Sequence, residues 1–365
     1  MPEWAESCFL STIWRRYGAT EKYQLTESLH VPHVLVIGAG SIGKRHIKNL
    51  LAAPAGAPSD AVTVSVVEPR ADRRAEVVAL GVEASRIFES RDAALAAGSF
   101  DGAVVATPTA FHVADALACA RAGLPLMIEK SLSVDMEGVD ALQHEVESRG
   151  LFAFTAYCFR FDPQARRFAE LLRDGVIGKP LYARAEMSTY LPEWHPHEDY
   201  RDFYMSKKAL GGGTLLDQSH LYDMTRMFLG EIRTVMGISR KDSDLEIETD
   251  DFGEFLFHLD SGVYVSIHID LFTRPWREFY QVTGSDGVLE WDIGRKTITR
   301  FAADGSKELM LQGTDYNAMY VNEVGYFLAG VRGERPEGPG FADGVRVMQV
   351  VEAIRTSAGE RLIRL

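Results

Sequence analysis

Two polar residues three positions apart, Asp217 and His220, carry side chains that can exchange protons. They follow three glycines and an apolar turn in the stretch GGGTLLDQSH. Residues three apart share one face of a helix, so a carboxylate at this spacing can orient an imidazole, whose ordinary pKa near 6.5 suits proton exchange at neutral pH. The stretch equally fits a mobile glycine loop before a helix with two polar surface residues. Other features of the sequence are needed to choose between these two interpretations.

The segment HVLVIGAGSIGKRHIKNL has the spacing of a dinucleotide-binding turn. An apolar run long enough for a buried strand precedes Gly38, Gly40 and Gly43, and a helical pattern follows. The first glycine permits the tight turn, the second lets the backbone approach a pyrophosphate, and the third lets helix and strand pack closely. The helix N-terminus, with Ser41 and Ile42, then offers free N–H groups and a favourable dipole to the phosphates.

A second apolar run, TVSVVEPR, ends in Glu68. A carboxylate at this distance beyond the glycines binds the ribose hydroxyl groups of a dinucleotide. Glu68 would repel a 2′-phosphate, which favours NAD as the cofactor. Arg70 is a residue type that accommodates that phosphate, so NADP is kept as the less favoured alternative.

Further apolar runs alternate with helical patterns as far as residue 157, which predicts a doubly wound parallel sheet. Ligands of such sheets bind beyond the carboxyl ends of the strands. Thr107, Pro108, Lys130 and Tyr157 all fall at predicted strand ends, so they should line one crevice. A lysine there can bond to a substrate oxygen, and an oxidised nicotinamide beside it would lower the lysine pKa.

The segment YLPEWHPHEDYRDFY is dense in aromatic and hydrogen-bonding side chains. Aromatic rings cover the faces of sugars while imidazoles and carboxylates bind hydroxyl groups, so we predict substrate contacts from Trp194, His195, His197 and Tyr200. A structural loop at a subunit interface is the alternative. Two acidic residues follow the His-x-His pair, but no further ligand cluster is evident, and we expect no metal site.

Charge and composition argue against several classes of protein. The 365 residues suit two domains, and the net charge of −13 argues against nucleic acid and anionic membranes as partners. No run of about 18 apolar residues predicts a membrane span. Three widely spaced cysteines without metal-ligand spacing indicate reduced thiols in a cytoplasmic protein.

The first 30 residues form an extension before the first domain. They lack the basic start and long apolar stretch of a signal peptide. Phe9, Leu10, Ile13 and Trp14 fit a short amphipathic helix that packs on the body or on another subunit. A disordered tail fits these residues equally well.

Six motifs occur in the order and spacing of the Gfo/Idh/MocA oxidoreductases, which the chain resembles from about residue 33 to its C-terminus. Each motif alone is modest, whereas the set is specific. The motifs are GAGSIGKRH, ATPTAFH, IEKSLS, CFRFDP, GVIGKP and GGGTLLDQSHLYD.

The resemblance implies roles for individual residues. Lys130 stands at the family's Glu-Lys-Pro lysine, which contacts the nicotinamide ribose and the substrate, and Glu129 precedes it. His112 matches a cofactor-contacting position, as do Thr107 and Pro108. Arg160 matches a residue near the nicotinamide end of the cofactor, and His220 matches the catalytic histidine.

The chain departs from the family pattern in two places. Ser131 replaces the usual proline after the lysine, so Lys130 is expected to be held differently. Many members have Asp-x-x-x-His, whereas here Asp217 precedes His220 by only three residues; Asp223 is an alternative partner for the imidazole. The shorter form resembles a branch associated with activated or amino sugars.

We therefore predict an α/β protein. Residues 1–30 form the extension and 31–158 a Rossmann domain. By the resemblance, 159–365 form an α/β domain with a large, open, mostly antiparallel sheet for substrate binding and oligomerisation. The last helix is expected to pack back on the Rossmann domain. Covering the open face of the sheet favours a homodimer or homotetramer.

The predicted function is NAD-dependent interconversion of a secondary alcohol and a ketone on a sugar or sugar derivative, nucleotide-linked or amino sugars included. Lys130, His220 and Asp217 are the predicted catalytic residues. The alternatives are an inositol or polyol dehydrogenase, an imine reductase, and a non-catalytic regulator that binds dinucleotide and sugar. Retention of Lys130 and His220 argues against the regulator.

Overall fold

The computed structural model describes residues 30–53, 62–194 and 198–365. The predicted extension, apart from its last residue, lies outside this range, as do His195 and His197. Within the described residues the strands are β1 (His33–Ile37), β2 (Thr63–Val67), β3 (Ile87–Phe88), β4 (Gly102–Val105), β5 (Leu126–Glu129), β6 (Ala153–Ala156), β7 (Pro180–Tyr190), β8 (Ile232–Arg240), β9 (Phe252–Leu259), β10 (Tyr264–Asp270), β11 (Phe272–Gly284), β12 (Gly287–Asp292), β13 (Thr297–Ala302), β14 (Lys307–Gln312) and β15 (Ile363–Arg364).

The helices lie mainly between the early strands and at the C-terminal end. Short 3-10 helices, among them Cys158–Phe161, join several elements. The α-helices of the described residues are α1 (Ser41–Leu51), α2 (Ala71–Ala79), α3 (Arg91–Ala97), α4 (His112–Arg121), α5 (Val139–Ser148), α6 (Pro163–Arg173), α7 (Thr214–Asp217), α8 (His220–Leu229), α9 (Ala318–Val331) and α10 (Phe341–Ser357). None of these helices is long and apolar enough to cross a membrane.

The first sheet of the described chain is parallel, with the strand order β3-β2-β1-β4-β5-β6. This is the Rossmann order, whose switch point lies between β1 and β4. Both faces of the sheet are buried, since Leu35 and Ile37 pack into one hydrophobic cluster and Val34 and Val36 into another. Burial on both faces explains the continuous apolar runs from which the strands were predicted.

The second sheet has the order β14-β13-β12-β11-β7-β10-β9-β8-β15 among the described residues. Only β10 and β7 pair in parallel; the other pairs are antiparallel. Hairpin turns lie after β9 and after β11. The predicted fold, a Rossmann sheet followed by a large and mostly antiparallel sheet, is therefore confirmed.

The two C-terminal helices return to the first sheet. A Cβ at Gly102 would lie 2.7 Å from Val331 of α9, and one at Gly344 of α10 would lie 2.0 Å from the Thr155 hydroxyl of β6. The division at residues 158 and 159 stays our proposal for the domain boundary; it falls in the 3-10 helix between the two sheets. Helices α9 and α10 therefore lie late in the chain but pack on the first sheet.

Candidate active site

The glycine turn after β1 leaves room for a dinucleotide. Gly38 has φ +97°, and a Cβ there would lie 2.6 Å from Ala106 O at the end of β4. A Cβ at Gly43 would lie 2.1 Å from Gly38 O, whereas one at Gly40 would meet nothing within 4 Å. The first and third glycines are thus needed by the fold, and the second faces open space at the N-terminus of α1, which fits a pyrophosphate.

Glu68 lies directly after β2 and faces this turn. Its carboxylate accepts hydrogen bonds of 3.0 Å from the backbone N–H groups of Ala39 and Arg70. Only 2% of the residue is exposed, so the carboxylate holds the turn in shape. The side chain of Arg70 is exposed and pairs with Asp72 at 2.5 Å. The arginine that would suit NADP is therefore already paired with an anion.

Lys130 and Asp217 form a buried ion pair at the end of β5. Lys130 Nζ donates to Asp217 Oδ1 at 2.5 Å and to Asp217 O at 2.8 Å. Tyr204 donates its hydroxyl proton to the same carboxylate oxygen. Burial opposes the charge on both groups, but their mutual attraction outweighs it, so the pKa of Lys130 is raised and the pKa of Asp217 is lowered. With this partner, Lys130 is a cation at neutral pH.

Asp217 and His220 lie on two helices, which corrects the expectation of one continuous helix. Helix α7 ends at Asp217, a tight turn follows, and α8 begins at His220. The turn has i to i−3 hydrogen bonds, from Ser219 N to Leu216 O and from Leu221 N to Gln218 O. Because the turn interrupts the helix, Asp217 and His220 do not share one helix face. The Asp217 carboxylate therefore points toward Lys130 and not toward the imidazole.

The His220 imidazole keeps a free nitrogen. Its Nδ1 is buried and has no hydrogen-bond partner among the described residues. The rings of Phe159 and Tyr157 contact the imidazole edge-on, at centroid distances of 5.1 and 5.8 Å. Burial, with help from the Lys130 charge, lowers the pKa of His220 to about 3. The imidazole is therefore uncharged at neutral pH.

Asp223, the alternative partner for His220, does not bond to the imidazole either. Its carboxylate accepts three hydrogen bonds from Arg160, at 2.7, 2.8 and 3.0 Å. Arg160 also reaches Asp343 of α10 at 3.1 Å. The structure thus places Arg160 in an ion-pair network that joins the 3-10 helix, α8 and α10, and neither predicted carboxylate bonds to His220.

The residues after β4 are tied to one another. The Thr107 hydroxyl donates to Asp115 at 3.0 Å, and the two ring nitrogens of His112 lie 2.7 Å from Thr107 O and Ser131 O. His112 is only 1% exposed, and Pro108 is half-buried at the entrance to the next helical turn. His112 therefore links the end of β4 to the end of β5. Its effect on the crevice is indirect, through the backbone positions of Thr107 and Ser131.

Ser131, the departure from the usual proline, connects the two catalytic candidates. The Lys130–Ser131 peptide is cis. The Ser131 hydroxyl donates to Leu216 O at 2.7 Å and lies 2.7 Å from the Ser219 hydroxyl. Tyr157 donates to the same Ser219 oxygen at 3.5 Å and is fully buried, so it supports His220 from behind instead of lining the crevice.

The aromatic segment packs around a small cluster of its own. Trp194 is half-buried and donates to the Thr189 hydroxyl at 3.0 Å, and the Tyr200 hydroxyl accepts from Glu246 N at 3.3 Å. The predicted contacts at His195 and His197 lie outside the described residues. Tyr204, at the end of the same segment, enters the site through its bond to Asp217. In the sequence, the density of aromatic residues around Tyr204 was the one feature that pointed to it.

Glu129 turns away from the crevice. Its carboxylate accepts from His46 Nε2 of α1 at 2.6 Å and from Lys130 N at 3.3 Å. The side chains of Ser41 and Ile42 lie at the first turn of α1, exposed and half-buried respectively. The predicted residues thus separate into a cofactor turn, a Lys130–Asp217–His220 site and a supporting layer behind it.

Two family models match most of the described chain. Residues 33–157 match the family model described as an oxidoreductase family with an NAD-binding Rossmann fold, and residues 165–290 match the GFO/IDH/MocA C-terminal domain. Among solved structures, levoglucosan dehydrogenase in complex with NADH and levoglucosan superposes with a TM-score of 0.80 at 20% identity, covering 92% of this chain and 99% of that one. At this identity the likeness shows the fold.

Two relatives resemble the chain over most of its length. Myo-inositol 2-dehydrogenase from Thermotoga maritima is 27% identical over 342 residues, which cover 89% of this chain and 96% of the relative. The NAD(+)-dependent scyllo-inositol 2-dehydrogenase from Bacillus subtilis is 29% identical over 317 residues, 83% of this chain and 87% of the relative. The predicted cofactor, NAD, and the predicted oxidoreductase class are confirmed, and the chain belongs to the Gfo/Idh/MocA family of NAD-binding oxidoreductases.

Proposed function

We propose that this enzyme oxidises a secondary hydroxyl group of a cyclic polyol or an unlinked sugar. The observation that carries the proposal is the partly exposed, neutral His220 imidazole beside the charged Lys130 ammonium. An alcohol that binds between them has both a proton acceptor and a cation for its oxygen. The inositol dehydrogenases among the relatives favour the polyol alternative over nucleotide-linked and amino sugars.

His220 acts as the general base in this proposal. A positioned base contributes roughly 10²–10⁴-fold to rate. The imidazole takes the hydroxyl proton while the C–H bond of the same carbon breaks. NAD, when bound, accepts the hydride at its nicotinamide ring.

Lys130 stabilises the developing oxyanion, and Asp217 keeps Lys130 in place. An ammonium held by a carboxylate and a backbone carbonyl is aimed before the reaction begins, so little reorganisation is needed as charge develops on the substrate oxygen. Asp217 is therefore a positioning residue for Lys130, a different role from the one predicted from spacing.

The experiment is NADH formation at 340 nm with NAD and a panel of inositols, pentoses, anhydrosugars, nucleotide-linked sugars and amino sugars. We expect turnover with an inositol or free sugar, and a loss of roughly 10²–10⁴-fold in kcat/KM for His220→Ala. His144→Ala is the control, because His144 is exposed on α5. Dinucleotide binding without turnover of any panel member would favour the regulator instead.

The pH profile gives a second readout. With its pKa lowered to about 3, His220 stays neutral through the usual assay range. The acid limb of kcat/KM that arises from His220 should therefore lie well below the ordinary histidine range. A limb near pH 6.5 that disappears in His220→Asn would contradict the proposed electrostatics.

We also propose that a second copy covers the open face of the nine-stranded sheet. On this face Tyr264 lies opposite Tyr182 and His258, and its ring stacks on that of His258 at 4.4 Å. Tyr264 begins the inner strand β10 and is 47% exposed, which is a large exposed fraction for an aromatic side chain. Tyr264→Glu should shift the mass seen by light scattering toward the monomer, whereas an unchanged mass would point to another interface or none.

A further inference from the structure

A buried cluster of polar groups lies behind Lys130, outside the proposed catalytic site. It consists of His46 from α1, Glu129 from β5 and Glu323 from α9, and one ligating atom from each lies within 4.8 Å of the others. Exposures are 0% for His46, 7% for Glu129 and 0% for Glu323. None of these side chains is used in the reaction proposed above.

Glu323 has no hydrogen bond to the other two members, and His46 Nδ1 is likewise buried without a partner among the described residues. Both of its carboxylate oxygens are buried without a hydrogen-bond partner among the described residues. His46 is the cluster's single cationic candidate, and its Nε2 is already bonded to Glu129 at 2.6 Å. Lys130, the next cation, is engaged by Asp217. An isolated buried carboxylate is so costly that such a group takes up a proton instead.

The other groups that face Glu323 do not supply a positive charge. Cys158 approaches from the 3-10 helix after β6, and Tyr320 lies one turn earlier on α9. Burial raises the pKa of the Cys158 thiol, so the thiol is neutral at physiological pH. Burial and then the Glu129 charge likewise raise the pKa of Glu323.

A divalent cation is the other way to neutralise two carboxylates. Donor atoms that share one tetrahedral ion at about 2.0–2.2 Å stand more than 3 Å apart. The His46 and Glu129 donor atoms are 2.6 Å apart, which is the length of a charge-assisted hydrogen bond. The geometry of the pair therefore favours a proton over a metal ion.

We propose that Glu323 is a carboxylic acid that remains protonated in the folded enzyme at neutral pH. The neutral acid keeps a second negative charge away from the strand that carries Lys130. This inference concerns the resting protein and does not depend on the proposed substrate.

Infrared difference spectroscopy tests the protonation state directly. The wild-type spectrum minus that of Glu323→Gln should show the carbonyl band of a protonated carboxyl group at pH 7. Glu334→Gln, an exposed glutamate just beyond α9, should show a carboxylate band instead. A carboxylate band for Glu323, or one equivalent of bound metal by elemental analysis that is lost in Glu323→Gln, would overturn the proposal.

Linkage between pH and stability gives an independent test. A folded-state pKa above the unfolded value stabilises the fold at low pH, and this stability is lost as pH rises. Relative to Glu323→Gln, the unfolding constant of the wild type should increase by up to about tenfold per pH unit from pH 5 upward. A difference that is constant with pH, or a Gln variant that fails to fold, would show that Glu323 is not a neutral acid.

Discussion

The hydroxyl groups of Ser131 and Ser219 lie 2.7 Å apart, which joins the strand end that carries Lys130 to the turn that precedes His220. The same Ser131 hydroxyl donates to Leu216 O. A proline, which the family usually has here, offers no side-chain hydroxyl. The link between the lysine and histidine segments is thus a feature of this chain.

Replacing Ser131 by Ala should destabilise the enzyme. The Leu216 carbonyl and the Ser219 hydroxyl would each lose one of their partners, which costs about 0.5–1.5 kcal/mol per hydrogen bond. Chemical denaturation measures the change, with the exposed Ser148→Ala on α5 as the control. If the two variants unfold at the same denaturant concentration, the Ser131 contacts contribute nothing to stability.

The Lys130–Asp217 pair should separate stability from activity. Asp217→Asn leaves the Lys130 charge buried and uncompensated, which costs about 3–5 kcal/mol. Adding Lys130→Met should recover much of that stability while activity remains lost. Unfolding and NADH formation are measured on both singles and the double variant. Additive destabilisation would show that the two side chains do not interact as the structure places them.

Tyr204→Phe should lower kcat roughly tenfold, which corresponds to about 1.4 kcal/mol. The phenol hydroxyl donates to the Asp217 oxygen that also holds Lys130, so its loss lets the ion pair shift. Tyr326→Phe is matched in chemistry, but its hydroxyl donates to Pro339 O, away from the ion pair. Steady-state kinetics should show a normal kcat for that control, and equal losses in both would assign Tyr204 a purely structural role.

Asp72→Asn should raise the use of NADP. The exposed Arg70 guanidinium is paired with the Asp72 carboxylate, which holds the pKa of Asp72 near 2. Freed of this partner, Arg70 can meet a 2′-phosphate, and we expect kcat/KM for NADP to increase by roughly tenfold with NAD little changed. An unaltered ratio of the two cofactors would show that Glu68 alone sets the preference.

The strands and their order were predictable because each strand depends on a short local pattern in the sequence. Apolar runs such as His33–Ile37 become strands buried on both faces, and the glycine spacing after β1 specifies a Rossmann turn. The two glycines are also explained by local geometry. A side chain at Gly38 or Gly43 would collide with the backbone.

Partner choice at the site was not predictable from spacing. The assignment of Asp217 to His220 assumed a continuous helix, and the turn at Gln218 and Ser219 breaks that phase. The observed partner, Lys130, is 87 residues away, so only the tertiary fold reveals it. Arg160 and Asp223, 63 residues apart, are a second such pair.

The return of α9 and α10 to the first sheet sets an order of events during synthesis. In the folded protein, residues 318–357 cover Gly102 and Thr155 of the first sheet. Until residues 318–357 have emerged from the ribosome, the cofactor domain lacks part of its own core. Domains commonly fold in the order in which they are made. In this protein the cofactor domain is translated before the second domain, but its core is complete only after α10 has been made.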